Sequence, residues 1–184
     1  TLRRSSAASD VYKRQRYEEA FKAARELLQE IPSNLIFQTN ILEIHLAEGN
    51  SLEAISVGEK LLSVNSNNFS ISYYLAKAYI LDNNPEKAEE ILINLSKENP
   101  KDPSVWYELA EAQGLAGNII GLHRSRAEYF ILTGRYDSAI FQLREGLKLS
   151  KNFFEIRESI INKLEQIYKT CLLYTSDAAD ERLS

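Results

Sequence analysis

Apolar residues recur at helical spacing along most of the chain and are interrupted at short polar turns. The pattern is plainest between residues 103 and 150, where Gly117-Asn118 and Gly134-Arg135 break it. Small residues, Ala110, Ala127 and Ala139, stand where neighbouring helices have to come close. The spacing predicts helices over 17–30, 35–48, 51–64, 69–82, 85–98, 103–116, 119–133, 136–149 and 153–169. Connections of roughly two to five residues hold successive helices antiparallel. The expected fold is all-α, a stack of helical hairpins.

The hairpins keep a period. Ala20, Ala54 and Ala88 lie 34 residues apart, and Leu122 breaks the series. Pro32 and Pro100 differ by twice 34, with Ser66 between them; Asn34, Asn68 and Asp102 form one turn series, and Asn50, Asn84 and Asn118 form another. A short side-chain oxygen suits a helix start because it accepts from the exposed N–H groups of the first turn. Asn84-Pro85 and Asp102-Pro103 add Pro at the first helical position, and Asn50 with Glu53 and Asn152 with Glu155 read as capping boxes. Ala139 lies 17 residues, half a period, beyond Leu122, so the helix at 119–133 is expected to close one hairpin and open the next. The first helix has no mate before it, so its apolar face (Phe21, Leu27, Leu28, Ile31) is expected to be under-covered.

A 34-residue helix–turn–helix resembles the tetratricopeptide repeat. The residues that carry the likeness are Trp106, Leu109 and Ala110 on a first helix, and Tyr79 with Ala88 and Pro100 in the repeat before it. His45 and Gln113 depart from it where an aromatic is usual, and Gly58 and Arg126 where a large apolar residue is usual. The resemblance implies an α-solenoid, a right-handed superhelix of antiparallel hairpins whose first helices line a concave, protein-binding groove. Groove candidates are Ile36, Thr39, Glu43 and Leu46; Ser70, Tyr73, Lys77 and Ile80; and Ser104, Tyr107 and Glu111. Tyr73 and Tyr107, 34 apart, are expected either to stack along one wall or to pack on the adjacent hairpin. The structural positions of the repeat are Ala20, Ala54, Ala88, Trp106, Ala110, Ala127, Gly134 and Ala139, with Trp106 in the core register.

The segment 103–169 is similar to the C-terminal tetratricopeptide tail of periplasmic zinc metalloproteases of the β-barrel assembly-enhancing type. It combines a W-x-x-L-A-x-A helix with His123, Arg124, Ala127, Glu128, Tyr129, Gly134, Asp137, Ala139, Ile140 and Leu143, and ends in a long terminal helix. That likeness implies a substrate- or partner-recruiting region in the periplasm, with the protease domain and the outer-membrane assembly machinery as partners. The other reading is a free-standing tetratricopeptide scaffold or co-chaperone.

The two ends read differently from the middle. Residues 5–15 and 171–181 back-translate into DNA sequences that are reverse complements of one another and resemble the adapter of transposase-made sequencing libraries. Residues 1–15 and 171–184 are therefore expected to be non-native, and 16–170 to be the repeat domain of about four hairpins plus a terminal helix. The chain has no Met, and 16–170 is expected to be an internal piece of a longer protein.

Composition narrows the chemistry. A formal net charge of −4 is a poor match for a phosphate backbone, so nucleic acid is not an expected partner. The single cysteine, Cys171, lies in the adapter-like end, leaving no disulfide or thiolate metal site in 16–170. No apolar run reaches the roughly 20 residues needed to cross a bilayer, and no targeting signal is present in the sequence. A zinc peptidase needs two imidazoles one helical turn apart with a carboxylate between them, as in H-E-x-x-H. His45 and His123 fall in different hairpins, so no catalytic, metal or cofactor residue is assigned, and any zinc is expected upstream of Arg16. The carboxylates at Glu18-Glu19 and from Glu86 to Glu90 read as solvated helix faces, with Glu18 paired to Lys22.

Overall fold

In the computed structural model, the structure describes residues 18–19, 21–24, 26–31 and 34–180, the last ten as backbone only. Ala20, Pro32 and residues 1–15 lie outside the described residues, and so do the expected boundary at Arg16 and the last four residues. Among the described residues there are helices and turns but no strands. Helical residues at 18–19, 21–24 and 26–30 precede α1 (Leu35–Glu48), α2 (Ser51–Val64), α3 (Phe69–Leu81), α4 (Pro85–Glu98), α5 (Pro103–Leu115), α6 (Ile119–Leu132), α7 (Tyr136–Leu149) and α8 (Phe154–Asp180). The chain divides into two compact units between Leu95 and Ser96.

The helix starts follow the polar series. Asn34 accepts from the N–H groups of Ile36 and Phe37 at 3.0 and 3.3 Å, Asn68 from Ile71 at 3.0 Å, Asp102 from Ser104 at 2.8 Å, and Asn118 from Gly121 at 3.0 Å. Asn50 is the exception: its amide donates to Glu48 at 2.8 Å, and its side chain makes no cap bond. The capping box expected at Asn50 is therefore absent. The one expected at Asn152 is misplaced by a residue, because α8 begins at Phe154 and Asn152 sits in the turn before it.

Two kinds of turn connect the helices. Tight corners place Gly49, Asn83, Gly117 and Gly134 at positive φ. Each is closed by a hydrogen bond from the following N–H to a carbonyl five residues earlier: Asn50 to His45, Asn84 to Tyr79, Asn118 to Gln113 and Arg135 to Phe130, all at 2.8–2.9 Å. Left-handed backbone at a helix C-terminus is what Gly and Asn supply. Wider turns are closed by Asn34 to Ile31, Asn68 to Asn65, Asp102 to Asn99 and Phe153 to Ser150, at 3.0–3.2 Å. The two kinds alternate until Gly117, where a second tight corner follows at Gly134. This gives the half-period phase shift a backbone form. Helix α6 packs on both α5 and α7.

In the first unit, Leu42, Ala54 and Ala78 form a buried cluster with Leu46, Ile55, Val57 and Tyr74 packed on it. The glycine at 58, where a large residue is usual, has a packing reason: a Cβ there would meet Leu75 Cδ1 at 3.0 Å and Leu75 Cβ at 3.3 Å. Helix α2 is tied to α3 by Tyr79 Oη donating to Glu59 at 2.5 Å and by Ser51 Oγ donating to Asp82 at 3.0 Å. Before α1, Leu27 and Ile31 are 42% and 49% exposed, while Ala24 is buried. There Lys22 pairs with Glu26 at 3.9 Å, not with Glu18 as the sequence suggested.

In the second unit, Ala127, Ala139, Leu143, Ile160 and Ile167 form the core shared by α6, α7 and α8. Polar ties cross it at the edge: His123 Nδ1 and Gln142 Oε1 at 2.8 Å, Lys163 and Glu128 at 2.8 Å, and Arg144 donating to Tyr168 Oη at 3.0 Å. Helix α8 continues past the expected end at 169 through residues assigned to adapter. No Gly or Pro interrupts Phe154–Asp180, so nothing local stops the helix.

Candidate protein-binding groove

A cleft lies within the second unit, between α5 and α6. Asp102 and Asn118 fix where the two helices start, and Val105, Leu109 and Ala112 bury the opposite face of α5. Across the helix pair, Ser125 Oγ donates to the buried Gln113 Oε1 at 2.7 Å, so the departure at Gln113 is a buried polar tie. Gly121 makes room for it, since a Cβ there would stand 2.7 Å from Gln113 Nε2 and 2.6 Å from Asn118 Nδ2.

With that packing set, Tyr107, Ala110, Glu111, Gly114 and Leu115 form one stripe on α5, and Leu122, Arg126, Tyr129 and Phe130 face it from α6. They enclose about 390 Å³. Tyr107 packs on Tyr129 at 5.6 Å and 59°, Tyr129 on Phe130 at 5.4 Å, and Arg135 lies 4.6 Å from the centre of the Phe130 ring. Tyr107 stays 53% exposed and Glu111 is exposed. Two groove candidates, Tyr107 and Glu111, thus line this cleft, while Ser104 does not. The α6 wall was missed. Its signals were Arg126, a charge in an apolar register, and the half-period shift that makes α6 the opening helix of a second hairpin.

In the first unit, Ile36, Thr39, Glu43 and Ser70 line a smaller depression of about 250 Å³ with Leu35, Asn40, Asn68 and Tyr74. Leu46 packs against the buried cluster instead. Tyr73 stacks on Phe69 at 5.9 Å with Lys77 5.5 Å from its ring centre, and Ile80 is half-buried. The tyrosine that faces the depression is its neighbour Tyr74, whose phenol pKa is raised first by burial and then by Glu43. The rings that Tyr73 and Tyr107 meet, Phe69 and Tyr129, lie in their own units.

Of the repeat positions, Ala54, Ala88, Ala127 and Ala139 are fully buried and Ala110 is 4% exposed. Gly134 takes the left-handed conformation, and Ala20 lies outside the described residues. Trp106 departs from the expected core register: it is half-buried, and its indole N–H donates to the Pro100 carbonyl at 2.9 Å. Val105 and Leu109 hold the core at this turn of the helix, so Trp106 instead pins the wide turn at 99–102. His45 meets Phe21 edge-on at 5.1 Å, and His123 binds Gln142. Among the described residues no three His, Cys, Asp or Glu side chains are grouped to hold a metal, so those present do not fit a zinc site.

The comparisons with known proteins bear on this geometry. A family model described as tetratricopeptide repeat matches residues 45–112. Over those residues the chain is similar to tetratricopeptide repeats. The chain is 28% identical over 163 residues to the β-barrel assembly-enhancing protease of Escherichia coli (strain K12), covering 87% of the chain and 33% of that protein. It is 28% identical over 139 residues to the protein of the same name from Yersinia pestis, covering 76% of the chain and 29% of that protein. The chain therefore spans about a third of the length of the curated relatives it matches. Among solved structures, MamA from Desulfovibrio magneticus RS-1 superposes with a TM-score of 0.61 at 15% identity, covering 90% of this chain and 93% of that one. A thermophilic tetratricopeptide repeat protein from Thermus thermophilus superposes with a TM-score of 0.53 at 17% identity, covering 86% and 96%. At such identities the likeness is one of fold, and the fold is the all-α tetratricopeptide type.

Proposed function

We propose that this chain is the polypeptide-recruiting tetratricopeptide region of a protease of the β-barrel assembly-enhancing type. The 28% identity carried across 87% of the chain is the observation that supports it. On this reading the chain works in the periplasm by binding, and peptide hydrolysis belongs to a zinc domain outside the sequence. The aromatic cleft between α5 and α6 fits the role, because Tyr and Phe rings offer large contact area with few rotors to freeze.

Two measurements test it. Contiguous genomic sequence upstream is expected to encode an H-E-x-x-H helix; further 34-residue units there, with no such helix, would favour the free-standing scaffold. The purified chain is expected to bind unfolded outer-membrane β-barrel segments in fluorescence anisotropy and to leave them uncleaved. Absence of binding would overturn the recruiting role.

A further inference from the structure

The α5–α6 cleft holds an arginine that its own fold does not employ. Arg126 is exposed, lines the cleft, and makes no hydrogen bond or ion pair among the described residues. One period earlier the same register position is Leu92, which is fully buried. At α6 the register is turned so that Ala127 takes the buried place, and Arg126 lines the cleft together with Tyr107, Tyr129 and Phe130. A second guanidinium, Arg135, lies over the Phe130 face. Of the residues that line the cleft, Arg126 on the α6 wall is the cation and Glu111 on the α5 wall is the carboxylate.

Resting on the recruiting role proposed above, we infer that this cleft selects polypeptide segments in which an aromatic residue is followed by an acidic one. The aromatic side chain packs against Tyr107 and Tyr129, and the neighbouring carboxylate meets the planar donor fork of Arg126. Glu111, on the other wall, accepts a backbone N–H of the segment and repels a second acidic residue there. The site consequently reads order as well as composition. A solvent-facing ion pair contributes little, but one formed beside aromatic walls is partly desolvated, and a hydrogen bond to a charged group is stronger than a neutral one.

The test uses the whole chain and fluorescein-labelled unstructured peptides with amidated C-termini, alike except for a central Phe-Glu, Phe-Gln, Ala-Glu or Phe-Lys pair. One further peptide ends in Phe with a free carboxylate. Phe-Glu is expected to bind about three- to ten-fold more tightly than Phe-Gln or Ala-Glu. Arg126→Glu, at an exposed position, is expected to keep the far-UV circular dichroism spectrum and to switch the preference to Phe-Lys. Equal affinity for Phe-Glu and Phe-Gln would overturn the inference and leave the recruiting role standing, and so would an unchanged preference in Arg126→Glu. Binding restricted to the free-carboxylate peptide would overturn it in favour of chain-end capture. Failure of every peptide would remove both the inference and the recruiting role.

Discussion

At Gly58 a methyl group would be crowded, because Leu75 Cδ1 and the less mobile Cβ would stand 3.0 and 3.3 Å from it. Helix propensity alone would reward Gly→Ala by roughly 1 kcal/mol, but overpacking costs about 1–3 kcal/mol. Gly58→Ala is expected to lower stability in urea melts, and Leu75→Ala in the same chain is expected to make that change favourable. Ala88, fully buried, is the plainer case: Ala88→Leu is expected to cost about 1–3 kcal/mol, read as a lower thermal midpoint. Tyr79 adds a dependence on pH. Burial, then its bond to Glu59, pushes its phenol up to about 12 from an unfolded value of 10.0. The folded state therefore favours the protonated phenol, and this contribution is fully present below pH 10 and is lost as pH rises towards 12. Tyr79→Phe removes it, so the stability of wild type is expected to fall more steeply than that of the variant across that window in pH-stepped urea titrations.

Helices start where a side chain reaches the first turn, and the six polar turn residues differ in whether they do. Asn68 caps α3 through Ile71, whereas Asn50 spends its amide on Glu48. Asn68→Ala is expected to cost about 0.5–2 kcal/mol, and Asn50→Ala clearly less, in denaturant melts. The helices were legible because Asn, Asp, Gly and Pro punctuate the sequence at a fixed beat: α1, α2, α4 and α7 begin and end where the pattern predicts. The end of α8 was not, since its boundary was inferred from DNA-like coding and the residues beyond 169 contain no helix breaker. Trp106 was misread for a different reason. Periodicity says which residues share a face, but which of two adjacent residues turns inward depends on the rotation of the helix against its neighbour. Here Val105 took the interior, and Tyr74 in place of Tyr73 faces the depression beside Glu43. The α6 wall of the cleft was hidden for the same reason.

Across the molecule, stability in a repeat array comes from each element and its immediate neighbours, so unfolding need not be all-or-none. Trp106 is the single tryptophan and lies in the unit beyond Leu95. Ala54→Leu, in the other unit, is expected to lower the urea midpoint seen by circular dichroism and to leave the midpoint seen by tryptophan emission in place. An equal shift in both signals would mean that the chain melts as one block. The successive tight corners at Gly117 and Gly134 carry a consequence for how such chains grow. Since the polypeptide rounds the same bend on either side of one rod, it need not be counted in pairs. An ancestor could gain or shed a lone cylinder beyond Gly134 by repacking only the core that Ala127 shares with the helices after it, and odd-numbered descendants are as buildable as even ones.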